Sequence, residues 1–366
     1  MQARPRAITD VTAQLLALGG ALCAAELRIA LLARCRPSGM AALRAELNAA
    51  LARGELRNPT WAFDGSQNLA DLRKGLERLR GHLESLSIVW SELLIARLRE
   101  LELEADLVEA RGTGRFAQLA AERFRGPSAG ESHDVELWLG SAMAGAGTRD
   151  WFETETALER IRSDDERDPR SLVSQLRCLL GSRQLPIRVE FDASQSAVAA
   201  VGEGVVCLRP NALLTEREAL RIVVHEVEGH ILPRLCCGPF RWLRAGGPQS
   251  VEDEEGRALL LERNCGLMDP RRAFELATRH RMAVAQRAGA DFVETVRLAL
   301  SAGAEGAASL DWGLRIFRGG GLARELVYLP AMVRVQAALA TAPELEGLLA
   351  QSRAGLALAR LWLEQL

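Results

Sequence analysis

The chain has 366 residues, of which 48% are hydrophobic and 26% are charged, an ordinary globular composition with ample apolar material for a core. Its formal net charge of −2 argues against a nucleic-acid partner bound through bulk positive charge. Its seven cysteines are scattered and form no C-x-x-C pair, a pattern typical of reduced thiols, so we expect a cytoplasmic protein.

The first predicted element is a helix over Ile8–Arg34. Its apolar run Leu15–Ala25 follows two arginines and could alternatively be the hydrophobic region of a signal peptide. Asp10 before this run and Glu26 and Arg28 after it favour a helix of the protein core. No segment reaches the ~18–20 uninterrupted apolar residues of a membrane span, so we expect no membrane partner.

The next part of the chain also shows helical periodicity. Ser38 is a candidate cap for a second helix, and the stretch Arg57–Asn68 predicts a loop. Leu69–Arg111 predicts one or two long amphipathic helices with a solvated charged face. Thr113 opens a further short helix, and Arg125–Ser132 predicts a linker.

After the middle of the chain, alternating apolar and polar residues predict three strands, at 186–192, 196–202 and Gly204–Pro210. Thr215 and Glu218 form a T-x-x-E capping box, which begins the next helix. Ser250 is a candidate cap for the helix after it. A small sheet therefore precedes a mostly helical C-terminal half.

The motif that carries chemistry is HEVEGH, in which His225 and His230 are five residues apart rather than the four of H-E-x-x-H. In a regular α-helix, five residues at about 100° each would turn the two imidazoles roughly 140° apart. At roughly 4.4 residues per turn they would be only about 50° apart, so zinc binding requires a π-helical turn. Gly229 and Pro233 both weaken regular helix geometry here.

A zinc site also needs a third protein ligand, for which the next helix offers four acidic candidates, Glu252, Asp253, Glu254 and Glu255. Glu226, beside the first histidine, is the candidate general base that deprotonates the attacking water. The alternative is that the histidines are unrelated residues of a partly buried helix and that the acidic run is a solvated first turn.

Five stretches resemble the microtubule-associated tyrosine carboxypeptidase family, whose bacterial members are often called QEGLA-motif proteins. One is HEVEGH itself, because H-E-x-x-x-H is a trait of that family. The others occur in the family's order and are NPTWAF at Asn58–Phe63, the stretch Gly112–Ser128, EEGRA at Glu254–Ala258 and the stretch Arg318–Val335. The resemblance thus covers most of the chain.

The resemblance implies one zinc ion per chain, bound by His225, His230 and the EGLA-motif glutamate, which is Glu255 here. It also implies Glu226 as general base, and it places Glu262 two helical turns beyond Glu255, where an acidic side chain could support the ligands.

For the substrate, the resemblance implies a peptide or protein C-terminus that ends in an aromatic residue. Tyr328 matches a family tyrosine and is a further catalytic candidate, the alternative being a structural hydroxyl packed against a helix. A free carboxylate requires a cation, and the candidates are Arg318, Arg234 and Arg257. Glu228 replaces a family glycine, so this chain departs from the family inside the motif as well as at Arg257.

We therefore expect an α+β fold that is predominantly α-helical. An N-terminal helical lobe would span residues 1–160, and a gluzincin-like metallopeptidase lobe with a small β-sheet would span residues 161–366, unless the two form one continuous domain. The expected function is that of a zinc-dependent carboxypeptidase. The alternatives are a non-catalytic metal-binding regulatory protein on a peptidase scaffold and a plain helical interaction module.

Overall fold

The computed structural model describes residues 5–65, 68–86, 88–146, 159–235 and 238–365. The protein is mostly helical and has two small sheets, which confirms the predominantly helical α+β class. The α-helices are α1 Pro5–Ile29, α2 Leu31–Arg34, α3 Met40–Ala52, α4 Ala70–Ser85, α5 Ser91–Ala110, α6 Gly114–Arg123, α7 Ala129–Ala146, α8 Leu172–Ser182, α9 Glu216–Val223, α10 Leu232–Arg234, α11 Ser250–Asn264, α12 Pro270–Arg287, α13 Phe292–Ser301, α14 Gly306–Ile316, α15 Tyr328–Thr341, α16 Leu345–Gln351 and α17 Gly355–Glu364. A π-helix spans Val224–Ile231, and 3₁₀ segments span Gly238–Ala245, Arg318–Gly320 and Arg324–Val327.

The N-terminal helix packs one face into the core. Its buried side chains recur every three or four residues, at Leu15, Leu18, Leu22, Ala25 and Ile29. The predicted single helix is interrupted at Ala30, where φ is 43°, and α2 continues after it. The stretch Ala13–Arg34 is long and apolar enough to cross a membrane, a property that core helices and signal sequences share. The absence of a membrane partner stays a prediction.

Two local predictions were wrong, and a third was right only in part. Ser38 does not cap α3, because Gly39 occupies the cap position and the Ser38 hydroxyl donates to Asp64 instead. Ser250 does not cap α11, since Gln249 precedes the helix in a left-handed conformation that its own side chain does not support with a hydrogen bond. The predicted linker Arg125–Ser132 is shorter than expected because α7 begins within it.

The three predicted strands form one sheet in the order β2–β4–β3. Strand β2 (Arg188–Phe191) runs parallel to β4 (Val205–Leu208), which pairs antiparallel with β3 (Ala199–Gly202). A second pair, β1 (Ile161–Arg162) with β5 (Leu213–Leu214), precedes α9. Both sheets therefore lie just before the helix that carries HEVEGH.

The histidine helix, defined as α9, the π-helix and α10, begins at the predicted capping box. The Thr215 side chain accepts from the backbone N–H of Glu218, and the Glu218 carboxylate accepts from that of Thr215. The histidine helix packs tightly on α11, which we call the glutamate helix: a Cβ on Gly229 would lie 2.6 Å from the Cβ of Ala258. This close approach lets ligands on both helices converge.

The largest apolar core draws on both predicted lobes, from Leu15 in α1 to Ala359 in α17. A second cluster joins α8, the three-stranded sheet and the histidine helix. The division at residue 160 and the gluzincin-like character of the second part stay predictions.

Candidate metal centre

The helix between the two histidines has the widened geometry that their spacing requires. Val224–Ile231 is π-helical, which confirms the predicted local widening and extends it over eight residues. The two imidazole Nε2 atoms lie 3.2 Å apart as a result. The five-residue spacing is therefore compatible with a shared ligand.

Glu255 of the glutamate helix completes a group of three donor atoms. Its Oε2 lies 3.5 Å from the Nε2 of His225 and 3.7 Å from the Nε2 of His230. All three donor atoms lie within 4.8 Å of one another. Two imidazole nitrogens and one carboxylate oxygen form the His₂Glu donor set of catalytic zinc sites.

The far side of each imidazole is held by a second glutamate. Nδ1 of His225 lies 2.7 Å from Oε1 of Glu262, and Nδ1 of His230 lies 2.7 Å from Oε1 of Glu254. Because an ionised carboxylate only accepts hydrogen bonds, each Nδ1 carries a hydrogen and donates it. The Nε2 atom of each imidazole then faces the other two atoms of the candidate metal-binding group. Carboxylates in this position fix the tautomer and orientation of metal-binding histidines.

Arginines keep these two supporting glutamates ionised. Burial would raise the pKa of Glu254, but the charges of Arg234 and Arg353 hold that pKa well below its usual range. Burial likewise opposes ionisation of Glu262, whose pKa is held low by Arg272, with its Nε 2.8 Å from Oε2. The hydrogen-bond acceptors behind both histidines therefore stay charged.

His225 has carboxylates on both sides of its imidazole and binds a proton tightly. Burial would lower the pKa of His225, but hydrogen bonds to Glu255 and Glu262 raise it to about 10. The centre thus attracts a positive charge, which a proton supplies when no cation is bound. The two imidazoles and the carboxylate, with further carboxylates behind the imidazoles, fit a divalent ion such as zinc.

Glu226 is buried, with 9% of its surface exposed, and directly follows the predicted ligand His225. Its side chain has no hydrogen-bond partner among the residues that the structure describes. By contrast, Glu228 points to the opposite side, where its Oε1 lies 2.6 Å from Arg183. The substitution of a family glycine at position 228 therefore adds a surface ion pair rather than a group at the centre.

The predicted substrate cations lie in different surroundings. Arg234 donates to Glu254 at 3.1 Å and to the carbonyl of Val201 at 3.3 Å. Arg257 donates to Glu346 at 2.8 Å and to the carbonyl of Glu228 at 3.0 Å. Both guanidinium groups thus already have anionic partners.

Arg318 differs from these two arginines. Its guanidinium donates to the hydroxyl of Ser196 and, among the described residues, forms no salt bridge with a carboxylate. Its Nε is buried without a hydrogen-bond partner. Burial, with the charge of Arg315, lowers the pKa of Arg318 to about 10. The charge of Glu325 offsets only part of this burial, because no carboxylate among the described residues lies within salt-bridge distance of Arg318.

Tyr328 lies between two other guanidinium groups and is connected through one of them to the metal centre. Arg279 and Arg324 sit over its ring, 5.5 and 5.8 Å from the centroid. Nη2 of Arg324 lies 3.1 Å from Oε1 of Glu255, the oxygen that does not face the histidines. Arg324 therefore directs the other oxygen of Glu255 towards them.

Sequence reasoning missed three residues that shape the centre: Glu254 as the partner of His230, Arg324 as the partner of Glu255, and Arg353 as the partner of Glu254. Glu254 was visible as a neighbour of the EGLA glutamate, one position earlier on the same helix. Arg353 had no local signal, because it is 99 residues from the glutamate it contacts.

Comparison with known proteins yields one family. The sequence model of the family described as microtubule-associated tyrosine carboxypeptidase matches residues 52–350. No curated protein and no solved structure gives a significant match. The matched range includes HEVEGH and the glutamate helix, and it covers well over half of the chain.

Proposed function

From the premise that this chain belongs to the microtubule-associated tyrosine carboxypeptidase family, a family of metallocarboxypeptidases, we propose that it is a zinc-dependent carboxypeptidase with one zinc ion per chain. The observation that carries the proposal is the convergence of His225, His230 and Glu255, with a carboxylate on the far side of each imidazole. These three residues would hold the ion.

Zinc bound there supplies Lewis-acid polarisation of the scissile carbonyl and lowers the pKa of a water molecule. The Glu226 carboxylate takes a proton from the attacking water as the new C–O bond forms. It then gives that proton to the leaving amine as the C–N bond breaks. Its burial beside His225 and its freedom from hydrogen-bond partners among the described residues suit a group that must move a proton.

The substrate is a peptide or protein C-terminus, and the family description favours a terminal tyrosine or a similar aromatic residue. Arg318 binds the terminal carboxylate in this proposal, because it is the predicted substrate cation without a carboxylate partner among the described residues. In the same proposal Tyr328 hydrogen-bonds the reacting carbonyl, and its ring contact with Arg324, the partner of Glu255, supports this role. A cytoplasmic location is part of the proposal, and the five free cysteines in the described region support it.

The proposal is tested by metal analysis of the purified protein together with turnover of a C-terminal peptide library. We expect about one zinc per chain and release of C-terminal aromatic residues. Glu226→Gln should keep the zinc and lose turnover by about 10²–10⁴-fold, the range contributed by general acid–base catalysis. Peptides with an amidated C-terminus should be poor substrates because they offer Arg318 no carboxylate.

Glu228→Gln is the matched control, since it makes the same chemical change two residues away on a side chain that faces Arg183. It should retain near-normal turnover. Stoichiometric zinc with no turnover on any peptide would favour the non-catalytic metal-binding alternative. Wild-type protein that binds no metal, or Glu226→Gln protein that retains full activity, would refute the proposed function.

A further inference from the structure

Two segments of this chain lie outside the range that matches the family. One, before residue 52, contains α1, α2 and nearly all of α3, and the other, after residue 350, contains α17. Both pack against the elements around the metal centre. A Cβ on Gly19 of α1 would lie 2.5 Å from the carbonyl oxygen of Trp242, and a Cβ on Gly355 would lie 2.8 Å from the Cα of Ser250 in the glutamate helix.

The two segments also meet through a charged pair, Glu26 and Arg353, which we call the terminal pair. Nη2 of Arg353 lies 2.9 Å from one carboxylate oxygen of Glu26, and Nη1 lies 3.1 Å from the other. This fork geometry fixes the plane of the guanidinium group. The side chain of Glu26 is 24% exposed and that of Arg353 is 9% exposed, so solvent screens the pair only in part.

The terminal pair reaches a predicted metal ligand in two further contacts. Nε of Arg353 donates to Oε2 of Glu254 at 2.8 Å, and Oε1 of Glu254 lies 2.7 Å from Nδ1 of His230. Glu254 and His230 are both buried. The chain of contacts is therefore continuous from α1 to the imidazole, and each link has the distance of a charge-assisted hydrogen bond.

The outer end of this chain is itself anchored. Arg97 of α5 is fully buried, and its Nη2 lies 3.2 Å from Oε2 of Glu26. Its Nη1 lies 2.9 Å from Glu100 one turn further along the same helix. Glu26 thus has a fixed position on the core, from which it can hold Arg353.

We infer that Glu26 and Arg353 are positioning residues for the metal centre: through Glu254 they fix the orientation of the His230 imidazole. The inference rests on the metal centre of the proposed function. It assigns a role to segments that the family match leaves out, and it predicts that α1 is required for full metal affinity. Arg234 also donates to Glu254, at 3.1 Å, but its side chain is 32% exposed and it is bound to no second carboxylate among the described residues.

The test measures zinc affinity by competition with a chromophoric chelator, alongside urea unfolding of the metal-free protein. Partners of metal-binding histidines typically change metal affinity 10–100-fold when removed. We expect Arg353→Gln, which acts directly on Glu254, to weaken zinc binding about 10-fold on this scale. Glu26→Gln, one contact further out, should weaken it by roughly 3-fold. Arg353→Lys should fall between wild type and Arg353→Gln, since lysine keeps the charge and loses the fork.

Asp311→Asn is the matched control for loss of a partly buried carboxylate. Asp311 is 19% exposed and is paired with two arginines, Arg44 and Arg209, each at 2.7 Å. Among the residues that the structure describes, it has no hydrogen bond or ion pair with a histidine. This variant should lower stability and leave zinc affinity within about 2-fold.

If Arg353→Gln and Glu26→Gln both bind zinc as the wild type does, the inference is wrong and the proposed function is unaffected. If the wild type binds no zinc, both are wrong. Should Arg353→Gln fail to fold, Glu26→Gln decides alone, because glutamine preserves the size of the Glu26 side chain and one hydrogen-bond acceptor for Arg353.

Discussion

His225, which is partly buried, and His280, which is buried, lie in two neighbouring regions of opposite charge. His225 lies in the acidic centre, the group formed with Glu226, His230, Glu254, Glu255 and Glu262. Burial opposes its protonation, but the carboxylates raise its pKa to about 10. His280 lies beside the basic cluster, defined as Tyr328 with Arg279, Arg315, Arg318 and Arg324. There, burial lowers the pKa of His280 to about 4.

The two regions also differ in how completely their polar atoms are paired. Both imidazoles of the acidic centre contact a carboxylate on each side. In and beside the basic cluster, buried atoms without hydrogen-bond partners include Nε of Arg279, Nε of Arg318 and Nδ1 of His280. The acidic centre suits a cation, and the basic cluster has two unused guanidinium donors, the Nε atoms of Arg279 and Arg318, that suit an anion. Glu255 and Arg324 connect them at 3.1 Å.

The largest effect is expected from removing Glu255, the residue that connects the acidic centre to the basic cluster. Glu255→Ala deletes one of the three predicted ligands and leaves Arg324 without its carboxylate. We expect zinc to be lost on dialysis and kcat/KM to fall roughly 10³-fold or more, since a Lewis acid contributes several kcal/mol. Metal analysis and peptide turnover measure both effects. Retention of stoichiometric zinc would show that Glu255 is not a ligand.

The next test concerns the basic cluster alone. Arg318→Gln should leave zinc content unchanged and weaken binding of the substrate carboxylate by about 1.5–3 kcal/mol, or roughly 10–100-fold in KM. Arg257→Gln is the matched control, because Arg257 already pairs with Glu346. If Arg257→Gln raises KM and Arg318→Gln does not, the assignment of the carboxylate site is reversed.

The sequence allowed much of the acidic centre to be predicted, since His225, Glu226 and His230 lie in one short motif. Glu255 was one of four acidic candidates until the family resemblance selected it. Helix arithmetic alone called for the widened turn between His225 and His230, which the π-helix confirms. Local patterns also located the capping box at Thr215 and the three strands. These features depend on residues close together in the chain, whose periodicity the sequence displays.

What the sequence concealed is long-range. The partners of Glu254 and Glu255 are Arg353 and Arg324, 99 and 69 residues away. No spacing rule relates such positions, because only the packing of whole helices brings them together. The helix caps predicted at Ser38 and Ser250 were wrong for a related reason. The residues that directly precede α3 and α11 are Gly39 and Gln249, and both adopt left-handed conformations that a local pattern does not reveal.

A third prediction concerns how closely the two ligand-bearing helices must approach. Gly229→Ala would place a methyl group 2.6 Å from the Cβ of Ala258, so the histidine and glutamate helices must separate. We expect a loss of stability of about 1–3 kcal/mol, as for other overpacked contacts, together with weaker zinc binding.

Gly140→Ala is the control for this change, because Gly140 is an exposed helical glycine whose added Cβ would meet nothing within 4 Å. That variant should gain about 0.5–1 kcal/mol from helix propensity. Urea unfolding should show a lower free energy of unfolding for Gly229→Ala and a higher one for Gly140→Ala than for the wild type. Equal stabilities would mean that the helices do not pack as closely as the structure shows.

The smallest expected effect tests the histidine of the basic region. The pKa of His280 is about 4 in the folded protein, below its ordinary value of 6.5, so the unfolded chain binds the proton more tightly. The free energy of unfolding is therefore not reduced by His280 above pH 6.5, and it decreases as the pH falls from 6.5 towards 4. At pH 5.5 this one group should cost the wild type about 1 kcal/mol relative to pH 7.5.

His280→Gln removes the titration and keeps a side-chain donor for the backbone oxygen of Glu325. Its free energy of unfolding should therefore fall less than that of the wild type between pH 7.5 and 5.5. His82→Gln, at a solvent-exposed position of α4, should follow the wild type. Parallel curves for wild type and His280→Gln would mean that His280 is not held neutral. The basic region would then tolerate another cation, and the contrast with His225 would not hold.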